Sequence, residues 1–143
     1  MNKNSITINI QDDPPVEEVD LLRAALRAYN QSAAGQNTYT SLYLKATSSD
    51  GEFIGGIYGK IAWQWLYIDL LWVHPHYRGR GLGSQLISSI EKAANEQGIF
   101  RYHLSTASFQ APDFYQKLGY EICGTIEDLP PGHTNYFLKK TDL

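Results

Sequence analysis

The stretch Val73-His74-Pro75-His76-Tyr77-Arg78-Gly79-Arg80-Gly81-Leu82-Gly83-Ser84 constrains this chain more than any other. It leaves an apolar, strand-like run at Leu70-Leu71-Trp72-Val73, breaks at Pro75, passes through an Arg/Gly loop and enters an amphipathic helical pattern. Three glycines at alternating positions let the backbone turn tightly and aim several N–H groups at one point. The helix behind them adds the unpaired N–H groups of its first turn and the positive end of its dipole. Such a loop is a cradle for an anion, most simply a phosphate. A nucleotide P-loop would place a lysine after the second glycine, and none lies near Gly81 to Ser84. A dinucleotide loop would space its glycines Gly-x-Gly-x-x-Gly and carry an acidic residue about twenty positions on. Here the spacing is Gly79-x-Gly81-x-Gly83, and the next strand offers Arg101 and His103.

The rest of the chain supplies a mixed α/β frame. Ile6, Ile8 and Ile10 alternate with polar residues and predict a strand. Pro14-Pro15 then opens a helix whose apolar stripe is Val16, Val19, Leu22, Leu26 and Tyr29. Ser32 to Thr38 reads as a loop with room for one further helical turn. Leu42, Leu44 and Ala46 alternate, Ser48-Ser49-Asp50-Gly51 supplies a turn, and Phe53 to Ala62 returns as a strand. Its Gly55, Gly56 and Gly59 mark bulges or close backbone approach. Trp65 to Val73, apolar except for Asp69, suits a strand buried on both faces.

Beyond the glycine loop, Leu82, Leu86, Ile90 and Ala93 or Ala94 form a helical stripe stopped by Gly98. A strand over 99–106, a short helix over 109–118 and strands over 120–126 and 134–140 complete the order. The prediction is one domain over residues 1–143: a mixed, mostly antiparallel sheet with flanking helices.

At 143 residues and with ordinary apolar content, the chain is long enough to bury a core without staples. A net charge of −3 argues against nucleic acid as a partner. No apolar run approaches the roughly 18 residues of a membrane span. Met1-Asn2-Lys3-Asn4 lacks a signal-peptide core, so a cytoplasmic protein is expected. Cys123, the single cysteine, reads as a small buried strand residue.

The pattern Arg78-x-x-Gly81-x-Gly83 after a strand resembles the pyrophosphate-binding motif of the GCN5-related N-acetyltransferases (GNAT). Phe114-Tyr115-Gln116-Lys117-Leu118-Gly119-Tyr120 resembles a second segment of the same superfamily, in the right order. Ser108-Phe109-Gln110-Ala111-Pro112 and Pro131-Gly132-His133 are similar to a subgroup of small bacterial members. The resemblance implies the acyl-CoA N-acyltransferase fold, acetyl-CoA as co-substrate, no metal, and transfer of an acetyl group to the primary amine of a small molecule by direct attack. Dimers are frequent among the proteins it resembles, which makes a homodimer the implied assembly. The N-terminal third matches only in its pattern of elements.

By that resemblance the donor is held by the backbone of Leu71, Trp72 and Val73 along the pantetheine arm, with the Val73 N–H polarising the thioester. Arg78, Gly79, Arg80, Gly81, Leu82, Gly83 and Ser84 hold the pyrophosphate. Many members carry an asparagine where this chain has Ser108; Gln110 is its candidate replacement. Tyr115 is the candidate general acid, since a phenol of reference pKa about 10 can deliver a proton to a thiolate. Packing beside Phe114 is its alternative role. Asp69 is the candidate base, a carboxylate whose burial in an apolar strand would raise its pKa; a structural ion pair is the alternative. Alternation puts Tyr67, Asp69, Leu71 and Val73 on one face. Trp63, Trp65, Tyr67 and His133 are candidates for the acceptor site. His74 and His76 read as turn residues. Two other functions stay open: an acyl-CoA-binding module without turnover, and acetylation of a protein lysine or N-terminus.

Overall fold

The computed structural model describes residues 4–143, which form two compact units, one ending at Asn37 and one spanning Thr38–Leu143. The first contains helix α1 (Val16–Ala34). Pro15 precedes it, Glu17 and Glu18 sit favourably in its first turn, and Gly35, at φ 87°, closes it with an N–H to the Gln31 carbonyl. The predicted helix is therefore present and carries the extra turn. Its apolar stripe, however, buries no residue. The strand expected at Ile6, Ile8 and Ile10 does not form, and all three side chains are exposed. Alternation marks a face that a strand would bury, but a strand also needs a ladder partner, and no sheet includes this segment.

The second unit is a sheet with the order β1-β2-β3-β4-β6-β5. Its strands are β1 (Thr40–Thr47), β2 (Phe53–Ala62), β3 (Trp65–Val73), β4 (Arg101–Ala107), β5 (Glu121–Glu127) and β6 (Thr134–Thr141). All neighbours are antiparallel except β3 and β4. Helix α2 (Leu82–Asn95) follows β3 and α3 (Pro112–Lys117) follows β4. Leu86, Ile87, Ile90 and Ala94 of α2 pack on Ile57, Ile61, Leu66, Ile68, Tyr102, Leu104 and Leu138 of the sheet. Gly59 is required there: a Cβ would sit 2.9 Å from the Tyr67 carbonyl oxygen and 3.1 Å from Ile90 Cδ1. Within this core Glu91 is buried, accepts from Tyr120 Oη at 2.6 Å and pairs with Lys140 Nζ at 3.1 Å.

Two bulges change the predicted pattern. In β5, Ile122 pairs with Leu138 and Gly124 with Phe137, so Cys123 is extra; it is exposed rather than buried, with its thiol donating to the Phe137 carbonyl. In β3, Leu70 pairs with Tyr58 and Ile68 with Gly59, which leaves Asp69 without a partner on β2. The parity of the strand flips there. Leu66 and Ile68 face the core before the bulge, and Leu71 and Val73 face it afterwards. Leu70 and Trp72 are exposed, so β3 is not buried on both faces, and Asp69 does not share the face of Leu71 and Val73.

Candidate active site

β3 and β4 are paired over only three rows, Leu66–Tyr102, Tyr67–His103 and Ile68–Leu104. Beyond them β3 stays with β2 while β4 stays with β6, and a slot opens through the sheet. The separation begins at the Asp69 bulge. His74 N–H donates to the Ile54 carbonyl at 2.8 Å, which makes Gly55–Val73 a non-hydrogen-bonded pair of the ladder. The peptide groups of Val73, and by the same alternation those of Leu71, therefore turn away from β2 and toward the slot. Those of Trp72 turn to β2, leaving only its side chain for any ligand. Gly55 permits this fit, because a Cβ there would lie 2.8 Å from the Trp72 oxygen.

Arg78 donates through Nε to the Val73 carbonyl at 2.8 Å, which fixes the guanidinium at the mouth and leaves its terminal N–H groups for an anion. Gly79 and Gly81 have φ of 76° and 83°, in the left-handed region that an L side chain adopts only at a cost. Gly81 is the N-cap of α2, with no side chain capping it, and the first intrahelical bond is Gln85 N–H to Gly81. The N–H groups of Leu82, Gly83 and Ser84 are thus the unpaired donors of the first turn. Gly83 is needed for a different reason: its missing Cβ would meet Phe114 Cζ at 3.2 Å. Loop, helix end and slot line one cavity of about 770 Å³, running from Arg78 and Gly79 to Asp69 and Tyr115. Ligand sites span roughly 300 to 1,000 Å³.

Tyr115 lies on α3, 9% exposed, with its ring edge-on to Phe114 and Tyr120. Burial pushes its phenol above the ordinary value of 10, so it stays protonated at neutral pH. The turn before α3 is held by Gln110, whose side-chain oxygen accepts from the Ala107 N–H at 2.7 Å and the Thr106 hydroxyl at 3.3 Å. Gln110 lines the cavity with that oxygen already engaged, so only its amide NH₂ is left for a ligand. Ser108 is committed elsewhere. Its Oγ accepts from the Thr134 N–H at 3.1 Å and meets His133 Nδ1 at 3.3 Å. The His133 ring rests edge-on against Phe109, which does line the cavity. His133 itself is one residue removed from it.

Asp69 stands where the strands part. It is exposed, and its carboxylate lies 3.9 Å from Lys60 Nζ, so the deep burial expected of it is not found. On the same face, Trp65 and Tyr67 flank His103, with ring centroids 5.8 and 5.0 Å away. His103 was not legible as a site residue, since its neighbours follow from a parallel register set by distant segments. Partial burial pushes its imidazole below 6.5. The remaining candidates lie apart. Trp63 forms the two-residue β2–β3 turn with Gln64, both at positive φ, at the opposite end of β3 from the glycine loop. Arg80 stacks over Tyr77 and lines a neighbouring depression with His74 and His76. His74 Nδ1 accepts from the His76 N–H at 3.1 Å, the turn role expected of it.

Known proteins match this arrangement. The family model "Acetyltransferase (GNAT) family" matches residues 7–120. The chain is 42% identical over 118 residues to the blasticidin-S acetyltransferase of Streptomyces morookaense, covering 81% of this chain and 87% of that one. It is 28% identical over 131 residues to acetyltransferase Atu2258 of Agrobacterium fabrum, covering 92% and 96%. The crystal structure of an acetyltransferase from Bacillus cereus superposes with a TM-score of 0.86 at 33% identity, covering 94% of this chain and 98% of that one.

Proposed function

Because the chain belongs to the acetyltransferase (GNAT) family, we propose that it transfers the acetyl group of acetyl-CoA to the primary amine of a small molecule by direct attack in a ternary complex. The observation that carries this is the continuity of one slot. It runs from the unpaired N–H groups at the start of α2, past the inward peptide groups of Leu71 and Val73, to the buried phenol of Tyr115.

In this reading the pyrophosphate lies on the N–H groups of Leu82, Gly83 and Ser84 and against Arg78. The pantetheine amides pair with Leu71 and Val73 as an added strand would. The Val73 N–H donates to the thioester oxygen and stabilises the charge that develops there. The amine nitrogen bonds to the carbonyl carbon as the C–S bond breaks, giving an amide and a thiolate. Asp69 receives the proton that the amine loses, and Tyr115 gives its own to the thiolate sulfur. The raised pKa makes the phenol a weak acid but a dependable donor, because it is never ionised in the working range. A small-molecule acceptor is supported by the relative named for blasticidin-S, whose length is nearly all matched.

The experiment is a screen of primary amines for free-thiol release from acetyl-CoA, with the acetylated product weighed by mass spectrometry. Thiol release that requires both amine and enzyme is expected. Tight coenzyme A binding with no release from any amine would instead identify a binding module.

A further inference from the structure

Asp69 lines the cavity, and the strand segments that lead up to it on β3 and β4 carry side chains unlike those around the donor. Tyr67, His103 and Trp65 form a contiguous row of rings across the paired part of β3 and β4. That row ends where the strands separate. Asp69 lies two residues beyond Tyr67, about 7 Å along the strand. Among the described residues, Asp69 is the carboxylate that lines the cavity here, with Lys60 Nζ 3.9 Å from it; Arg101 stands at the far end of the row, its guanidinium 6.0 Å from the Trp65 ring centroid.

We infer that Tyr67 and His103 form a stacking platform that selects acceptors carrying one amine on a short arm from a planar aromatic or heteroaromatic ring. The inference rests on the acetyl-transfer reading above and names the class of amine it takes. A flat ring laid on Tyr67 and His103 places an amine one or two bonds away beside Asp69, at the entrance to the slot. The ring contact is specific in shape, because offset or edge-on aromatic pairs gain beyond their buried area. Partial burial favours the neutral form of His103, so the platform does not repel an incoming ammonium. Charge disfavours the other common class of amines. A flexible polyamine has no ring to lay on the platform and brings several positive charges to a place where Lys60 already stands beside Asp69.

The test compares kcat/KM for benzylamine, cyclohexylmethylamine and spermidine, in the natural protein and in Tyr67→Leu and His103→Leu. Both positions are partly or largely open to solvent, and a thermal melt checks that each variant is folded. Benzylamine should exceed cyclohexylmethylamine by about fivefold, the size of one aromatic contact, with spermidine the poorest of the three. Each substitution should bring the benzylamine to cyclohexylmethylamine ratio close to one, through KM rather than kcat, while acetyl-CoA affinity stays as it was. Equal rates for the two cyclic amines in the natural protein overturn the platform, as does a variant that lowers both alike. Thiol release from no amine at all overturns the acetyl-transfer reading and this inference with it.

Discussion

In the acetyl-transfer reading proposed above, the donor and acceptor ends of the slot are built by different means. The donor end is made of backbone: N–H groups of Leu82, Gly83 and Ser84, the inward peptides of Leu71 and Val73, and glycines that keep side chains out of the way. The acceptor end is made of side chains, with Asp69, Tyr67, His103 and Trp65 gathered on one face by a three-row parallel contact and a bulge. A site made of backbone tolerates most sequence changes and fails at a few positions where geometry admits only glycine. A site made of side chains can be altered residue by residue, which suits a surface that decides between acceptors.

Tyr115 belongs to neither end, and the largest effect is expected there. Tyr115→Phe removes the hydroxyl while leaving the ring contacts with Phe114 and Tyr120. General acid catalysis contributes about 100-fold or more, so kcat should fall by roughly that factor while the dissociation constant for acetyl-CoA holds. Steady-state kinetics beside calorimetric titration of the donor separate the two. Unchanged turnover would remove Tyr115 from the mechanism and leave it a packing residue.

The donor end should break next, at Gly81. Nothing lies within 4 Å of a Cβ added there, so crowding is not the obstacle. The obstacle is φ of 83°, which costs an L residue roughly 1–2 kcal/mol. Gly81→Ala should weaken acetyl-CoA about tenfold or more and leave the preference among amines untouched. Should that preference shift as well, the two ends are coupled and the contrast drawn above is wrong.

A pH titration probes the core that both ends rest on. Burial, with Asp142 and Glu91 nearby, raises the Tyr102 phenol to about 12, and burial also raises Tyr115 and Tyr120. Each folded pKa lies above the unfolded value of 10, so this stability is complete below pH 10 and declines as pH rises toward and through the folded values. Each tyrosine that is ionised only when unfolded contributes a slope of roughly 1.4 kcal/mol per pH unit. Denaturant midpoints should thus be insensitive to these groups up to about pH 9 and drop above 10. A fall beginning near pH 8 would point to other groups.

The same contrast explains what could be read from the sequence. Gly79, Gly81 and Gly83 announce the donor end because backbone geometry writes itself into residue type. The core stripe of α2 and the β1–β2 hairpin are legible for a similar reason, being local periodicities. The Asp69 bulge is not local: it appears only when β3 is set against β2, and it reverses which residues of β3 face the core. His103 meets Tyr67 through a pairing across 36 positions of chain, 103 minus 67, for which no neighbouring residue is a signal. Ile6, Ile8 and Ile10 mislead in the opposite way. Their alternation is as clear as that of Leu42, Leu44 and Ala46, but only the second set has a neighbouring strand to pair with.

The smallest effect should come from His133, which reaches the cavity through Phe109 rather than directly. Its ring meets Phe109 edge-on at 4.9 Å and its Nδ1 meets Ser108 Oγ at 3.3 Å. The loop stays anchored without it, because the backbone of Ser108 donates to the Thr134 carbonyl at 2.8 Å and its Oγ accepts from the Thr134 N–H. His133→Ala therefore frees one wall of the cavity without unhooking the loop. The KM for a good amine should rise about threefold, within the range of one lost aromatic contact, with kcat and acetyl-CoA affinity steady. An unchanged KM would confine His133 to the loop. A rise in the dissociation constant for acetyl-CoA instead would place Phe109 against the pantetheine, and so extend the donor end into side chains after all.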